Sequence, residues 1–151
     1  MTLDRIALYS TIFIPAIFGF VTAAFCNVGK DAGSVVKFRP PAWVFSIAWI
    51  ILYICLGLSW FFSNKDKNSN KILVNIMFSA VVLSLTGWLL VYACGKNKKG
   101  GIYMIVVSIL TALLAYTSTP NLTAKLLICP LIVWLFFATL LNTFDKYYYF
   151  K

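Results

Sequence analysis

Apolar and polar positions alternate along this chain in blocks far longer than a strand or an amphipathic surface helix uses. Charge-free runs cover residues 6–29, 40–64, 72–95, 100–124 and 126–144. Each is long enough to cross hydrocarbon as a helix, which takes about 20 apolar residues. Short connections separate them at 30–39, 64–71, 96–101 and 118–125. In lipid, backbone polar groups must be satisfied within their own segment. The pattern therefore predicts an all-α fold, an integral membrane bundle of five transmembrane helices, built as one domain over residues 1–151. No internal repeat is evident, and an odd number of spans argues against two similar halves.

Proline refines the pattern. Pro15 and Pro130 fall inside the first and fifth runs, where each removes a backbone donor and crowds the preceding turn, so a kink is predicted at both. Pro40 and Pro41 stand just ahead of the second run, where a fixed φ and a missing amide suit the first turn of a helix.

Composition supports the membrane reading: 62% of residues are hydrophobic and 11% charged, more apolar side chain than a soluble domain of this size can cover. The four acids, Asp4, Asp31, Asp66 and Asp145, lie outside the charge-free runs, and glutamate and histidine are absent. No acidic group is therefore expected at bilayer depth. That weighs against proton-coupled pumping, which relies on intramembrane carboxylates or imidazoles, and against zinc or haem-iron ligation through histidine. Neither a metal nor a cofactor is expected.

The net charge of +9 comes from basic residues in short connections beside apolar spans, which reads as topology and not as nucleic-acid binding. Arg5, Lys65, Lys67, Lys71 and Lys125 give 5 on one side; Lys30, Lys37, Arg39, Lys96, Lys98, Lys99, Lys146 and Lys151 give 8 on the other. The positive-inside rule then puts the amino terminus outside and the carboxyl terminus in the cytoplasm. Cys26, Cys55, Cys94 and Cys129 lie singly in different runs, without C-x-x-C spacing, and read as small apolar packing residues.

Candidate chemistry lies in the aromatic residues. Phe45, Trp49 and Tyr53 recur every four positions and share one side of the second helix, a line that Gly57 continues. In the fifth run, Trp134, Phe137, Ala138, Leu141 and Asn142 follow an i, i+3, i+4, i+7, i+8 pattern. That face carries an asparagine, whose amide would lack partners in lipid, so it should point inward. Trp43, Trp60, Tyr103 and the YYYF run at 147–150 read as anchors at the membrane interfaces. Two inward tryptophans would line a slot for a flat apolar molecule. With Lys30, Lys37 and Arg39 at its mouth, acidic substituents on that molecule would meet cations. A free-base porphyrin has that form.

These residues resemble the TspO/MBR family, which includes bacterial tryptophan-rich sensory proteins and the mitochondrial translocator protein. The run PPAWVFSIAWIILYICLG is similar to the family's second-helix signature, with Pro40, Pro41, Trp43, Val44, Phe45, Trp49, Leu52, Tyr53 and Gly57 matching. PLIVWLFFATLLN is similar to the fifth-helix signature through Pro130, Trp134, Phe137, Ala138, Thr139, Leu141 and Asn142. Pro15 and Gly19 resemble a P-x-x-x-G in the first helix. The chain departs from the family at Ile47 and Leu131, and in the third and fourth helices at Leu85, Leu89, Leu90 and Tyr103.

The resemblance implies a bundle, often dimeric, that binds porphyrins and other hydrophobic ligands such as sterols in a cavity roofed by the first connection. The membrane would be bacterial or of a mitochondrial-type organelle. Trp43, Phe45, Trp49, Tyr53, Trp134, Phe137, Ala138, Leu141, Asn142 and Arg39 become the ligand-binding candidates. Ala80, Ser84 and Gly87 in the third helix offer a small-residue surface for a homodimer, or for packing within one chain.

Three functions fit. The leading one is binding of porphyrin-like molecules for transport or for regulation of tetrapyrrole levels. Light-dependent porphyrin breakdown draws on the same tryptophans, although no nucleophile, acid–base pair or metal constellation supports a conventional active site. The third is a membrane scaffold whose aromatic slot serves only packing.

Overall fold

The computed structural model describes residues 3–26, 33 and 35–149, with side chains described as far as residue 145. Five helices long and apolar enough to cross a membrane account for nearly all of it: α1 Leu3–Phe25, α2 Ala42–Lys65, α3 Lys71–Trp88, α4 Lys98–Ser118 and α5 Leu122–Tyr149. A π-helical stretch, η1, extends α3 over Leu89–Cys94. No strand occurs among the described residues. The all-α membrane bundle read from the sequence is the observed fold.

Helix starts follow local chemistry. Pro41 caps α2, and its carbonyl accepts from the Val44 amide at 3.0 Å. α3, α4 and α5 begin on asparagine: Asn70 Oδ1 accepts from Leu73 N (3.2 Å), Asn97 Oδ1 from Gly100 N (2.8 Å) and Asn121 Oδ1 from Ala124 N (3.0 Å). Each satisfies one of the amides that a helix start leaves without an intrahelical partner. α1 and α5 run on through Pro15 and Pro130.

In cross-section α1 packs on α2, α2 on α5, α5 on α4 and α4 on α3, and α3 returns to meet α2 and α1. Glycine sets two of these approaches. A Cβ on Gly57 would overlap the backbone carbonyl of Ile12, and one on Gly19 would overlap the Tyr53 ring, so at each of these two contacts one helix gives up its side chain to let the other approach. On α4, Ser108, Ala112 and Ala115 are buried and let α3 and α5 close in. The small face of α3 is used within the chain: Ser84 Oγ lies 3.1 Å from Thr111 Oγ1 of α4, and Gly87 backs onto Met104. Of the two uses left open for that surface, packing within one chain is the one observed at Ser84 and Gly87.

Three expectations need correction. Cys26 and Cys94 are not separate packing residues; they form a disulfide. Cys55 and Cys129 remain free and partly buried. Trp60 is no interface anchor: it is only 5% exposed and stacks on Phe78 in the core, whereas Trp43 and Tyr103 are 66% and 74% exposed and face outward. Asp145 lies inside α5 and is 1% exposed, so one carboxylate is buried within the bundle at the end of a span. The anchor reading of 147–150 concerns side chains outside those described, as do the placements of Lys30, Asp31, Lys146 and Lys151.

Candidate functional site

The same end of the bundle holds a cavity of about 420 Å³, within the range that encloses drug-sized ligands. Its walls come from the last turns of α1, the first half of α2, the α3–η1 junction and the second half of α5. The four-residue spacing on α2 turns Phe45, Trp49 and Tyr53 toward it, and α5 contributes Trp134, Ala138, Leu141 and Asn142.

Trp49 is the hub. Its ring meets Trp134 edge-on at 6.4 Å and 81°, stacks on Trp88 at 6.2 Å and 26°, and lies 5.4 Å from Tyr53. Phe45 meets Trp134 edge-on at 5.6 Å. Trp88 in turn stacks on Tyr92 at 5.2 Å and 12°. Offset and edge-to-face contacts of this kind are the favoured arrangements of aromatic rings. The indoles of α2 and α5 thus face each other across a shared interior.

A polar cluster lies beside the rings. Asp145 Oδ2 accepts from the Tyr92 hydroxyl at 2.9 Å and pairs with Lys98 Nζ at 2.9 Å. Trp88 Nε1 points at Asn142 Oδ1 over a long 3.4 Å, while the Asn142 amide donates to Ala138 O at 2.9 Å. Gly101 makes room for this cluster, because a Cβ there would press on Tyr92 and Asn142. Among the described residues, three buried side-chain atoms have no hydrogen-bond partner: Arg39 Nε, Trp134 Nε1 and Asp145 Oδ1.

The first connection reaches the cavity through Gly33 and Arg39. Gly33 has φ +68°, a left-handed value natural to glycine, and its carbonyl accepts from Val36 N at 3.0 Å. Val36 O then accepts from Arg39 N at 3.1 Å, a second turn that brings the guanidinium over the Phe45 ring at 5.4 Å. Phe20, Ser46 and Ile50 both line the cavity and are exposed, so it opens to the outside of the bundle past them.

Eight of the ten candidate residues therefore surround one space: Arg39, Phe45, Trp49, Tyr53, Trp134, Ala138, Leu141 and Asn142. Phe137 stands behind Trp134, 5.5 Å away ring to ring, and Trp43 lies on the outer face of α2. Of the basic residues expected at the mouth, Arg39 lines the cavity, Lys37 is exposed, and Lys30 lies outside the described residues.

A family model described as TspO/MBR family matches residues 11–146, nearly the whole chain. The chain belongs to the TspO/MBR family. No curated relative matches it. For this TspO/MBR protein, sequence reasoning missed Trp88, Tyr92 and Asp145. Spacing gave no signal for Tyr92, because the π-helical stretch Leu89–Cys94 follows Trp88, and the partnership with Asp145 had none either, since it joins residues 53 apart. Among the described residues no group of three or more histidine, cysteine or acidic side chains is placed to hold a metal.

Proposed function

We propose that this TspO/MBR protein binds a flat, largely apolar ligand carrying acidic substituents, of the porphyrin class, and acts in the transport or regulation of tetrapyrroles. One observation carries the reading: Trp49, Trp88 and Trp134 converge on a cavity with the Arg39 guanidinium at its rim. The rings supply stacking surface, and Arg39, with no ion pair among the described residues, supplies a cation for a carboxylate. The unpaired Trp134 N–H is available to an acceptor on the ligand. Sterols would use the same apolar walls without engaging Arg39. Titration of the purified protein with protoporphyrin, followed by the shift of the porphyrin absorption band, tests the reading. Saturable binding that weakens in the Trp49→Phe/Trp134→Phe variant is expected; equal affinity in that variant would overturn the slot.

A second reading, light-dependent breakdown of the bound porphyrin, is favoured by one arrangement. Trp49, Trp88 and Tyr92 form a run of stacked oxidisable rings that ends on the carboxylate of Asp145, which is placed to take the tyrosine proton. Its test is product formation under illumination. Loss of product in Tyr92→Phe with retained binding supports it, and product formation independent of Trp49, Trp88 and Tyr92 excludes it.

A further inference from the structure

Cys26 follows the last residue of α1 and Cys94 is the last residue of η1; the disulfide joins them with Cα atoms 4.9 Å apart. Ala23, one turn before Cys26, lines the cavity on one side, and Tyr92, two residues before Cys94, lines it on another. The bond therefore ties two cavity walls together at their ends. Away from it, α1 is held chiefly by α2, through the glycine crossings near Ile12 and Tyr53. Cys26 is buried and Cys94 exposed, so an incoming thiolate meets the Cys94 sulfur first and Cys26 is the leaving thiol.

The location adds a second argument. Lys37, Arg39, Lys96, Lys98 and Lys99 lie in or beside the connections at this end, and the side of the membrane to which the sequence assigns them is the one the positive-inside rule puts in the cytoplasm. Thiols there are kept reduced, and the disulfides that do form are transient and redox-sensing.

We propose that Cys26 and Cys94 form a thiol–disulfide exchange site that controls ligand exchange in the cavity: the oxidised bond holds the α1 and η1 walls together, and its reduction lets them part. The reductant is a dithiol. One of its thiolates attacks Cys94 Sγ, the Cys26–Cys94 bond breaks, and Cys26 leaves as a thiolate that takes up a proton. The second thiol of the reductant then resolves the mixed disulfide, leaving Cys94 as a thiol and the reductant as its own disulfide. Two electrons and two protons pass from reductant to protein. Control of ligand exchange rests on the cavity binding a porphyrin-like ligand; the parting of the walls does not.

The test uses the full-length protein in lipid nanodiscs, before and after treatment with dithiothreitol, with the thiol count read by maleimide mass shift. Amide hydrogen exchange over residues 19–25 and 89–94 reports the walls, and the rate of protoporphyrin release reports the cavity. Reduction should raise exchange in both segments and speed release at least about fivefold, the lower end of typical coupling between sites. The Cys26→Ser/Cys94→Ser variant should behave as the reduced protein with or without dithiothreitol, and Cys55→Ser/Cys129→Ser should keep the response. If the first variant fails to fold, reduced wild-type protein carries the test. Unchanged amide exchange on reduction, or four maleimide-reactive thiols before it, would overturn the proposal. Increased exchange with no porphyrin bound in either state would keep the wall-parting step and sink the ligand reading. Increased exchange with equal release rates would sink the control of ligand exchange.

Discussion

The two ends of this bundle differ in how completely their buried polar side chains are paired. At the end with the connections 66–70 and 119–121, Asn75 Oδ1 accepts from both Trp60 Nε1 (2.7 Å) and Asn64 Nδ2 (2.8 Å), Ser59 Oγ donates to Ala124 O (2.7 Å), and Asn121 Nδ2 reaches Asp66 Oδ2 (3.3 Å). Phe78 fills the space between with no exposed surface. At the other end lies the cavity, and near it are the three buried side-chain atoms that lack a partner among the described residues. Leaving such groups unpaired costs stability. The contrast teaches that one end is built to hold the helices in register, whereas the other keeps open volume lined by Arg39 and Trp134, each with a polar atom unpartnered among the described residues.

The largest expected effect falls on the closed end. Phe78→Ala removes a fully buried ring stacked on Trp60 at 5.9 Å and should destabilise the protein by about 3–5 kcal/mol, the usual cost of such a deletion. Unfolding in mixed micelles measures it. Protoporphyrin affinity of the folded fraction should be unchanged, and a parallel loss of affinity would show that the two ends are not separable. Next comes Asn75→Ala, which leaves the Trp60 indole N–H and the Asn64 amide without their acceptor and should cost about 1–3 kcal/mol, again without touching binding.

At the cavity end the same kinds of change should act on affinity. Trp49→Phe/Trp134→Phe shrinks two facing rings and should weaken protoporphyrin binding about tenfold, or about 1.4 kcal/mol. Its unfolding midpoint should move less than that of Asn75→Ala. A midpoint shift as large as that of Phe78→Ala with unaltered binding would mean that the indoles serve packing alone.

How much of this contrast could be read from the sequence follows from what each feature depends on. The spans are set by charge-free length, and the faces of α2 and α5 by four-residue spacing, both local properties, so the fold and the Trp49 and Trp134 walls were legible. The π-helical stretch shifts the helical period after Trp88, so spacing alone does not orient Tyr92. Asp145 ended a charge-free run and so looked external; its burial depends on Lys98 and Tyr92 from other elements. The Cys26–Cys94 pair joins residues 68 apart without any local motif. Trp43 and Trp60 look alike as tryptophans near the two ends of one span, and it is Asn75 and Phe78 on the neighbouring helix that receive Trp60 on the inside.

The smallest effect gives the sharpest comparison, because it separates charge from shape. Arg39 packs over Phe45 and lines the cavity with its Nε unpartnered among the described residues, so replacing it with glutamine keeps a polar side chain there while removing the cation and its guanidinium donors. Arg39→Gln should weaken protoporphyrin binding about fivefold, equivalent to about 1 kcal/mol for one partly solvated ion pair. The dimethyl ester of protoporphyrin, which has the same rings and no carboxylates, should bind both proteins equally. Raising the salt concentration should erode the difference for the acid, since exposed pairs are screened, and leave the ester unaffected. Equal losses for acid and ester would mean that Arg39 shapes the cavity and does not recognise an anion. The polar asymmetry between the two ends would then be one of packing alone.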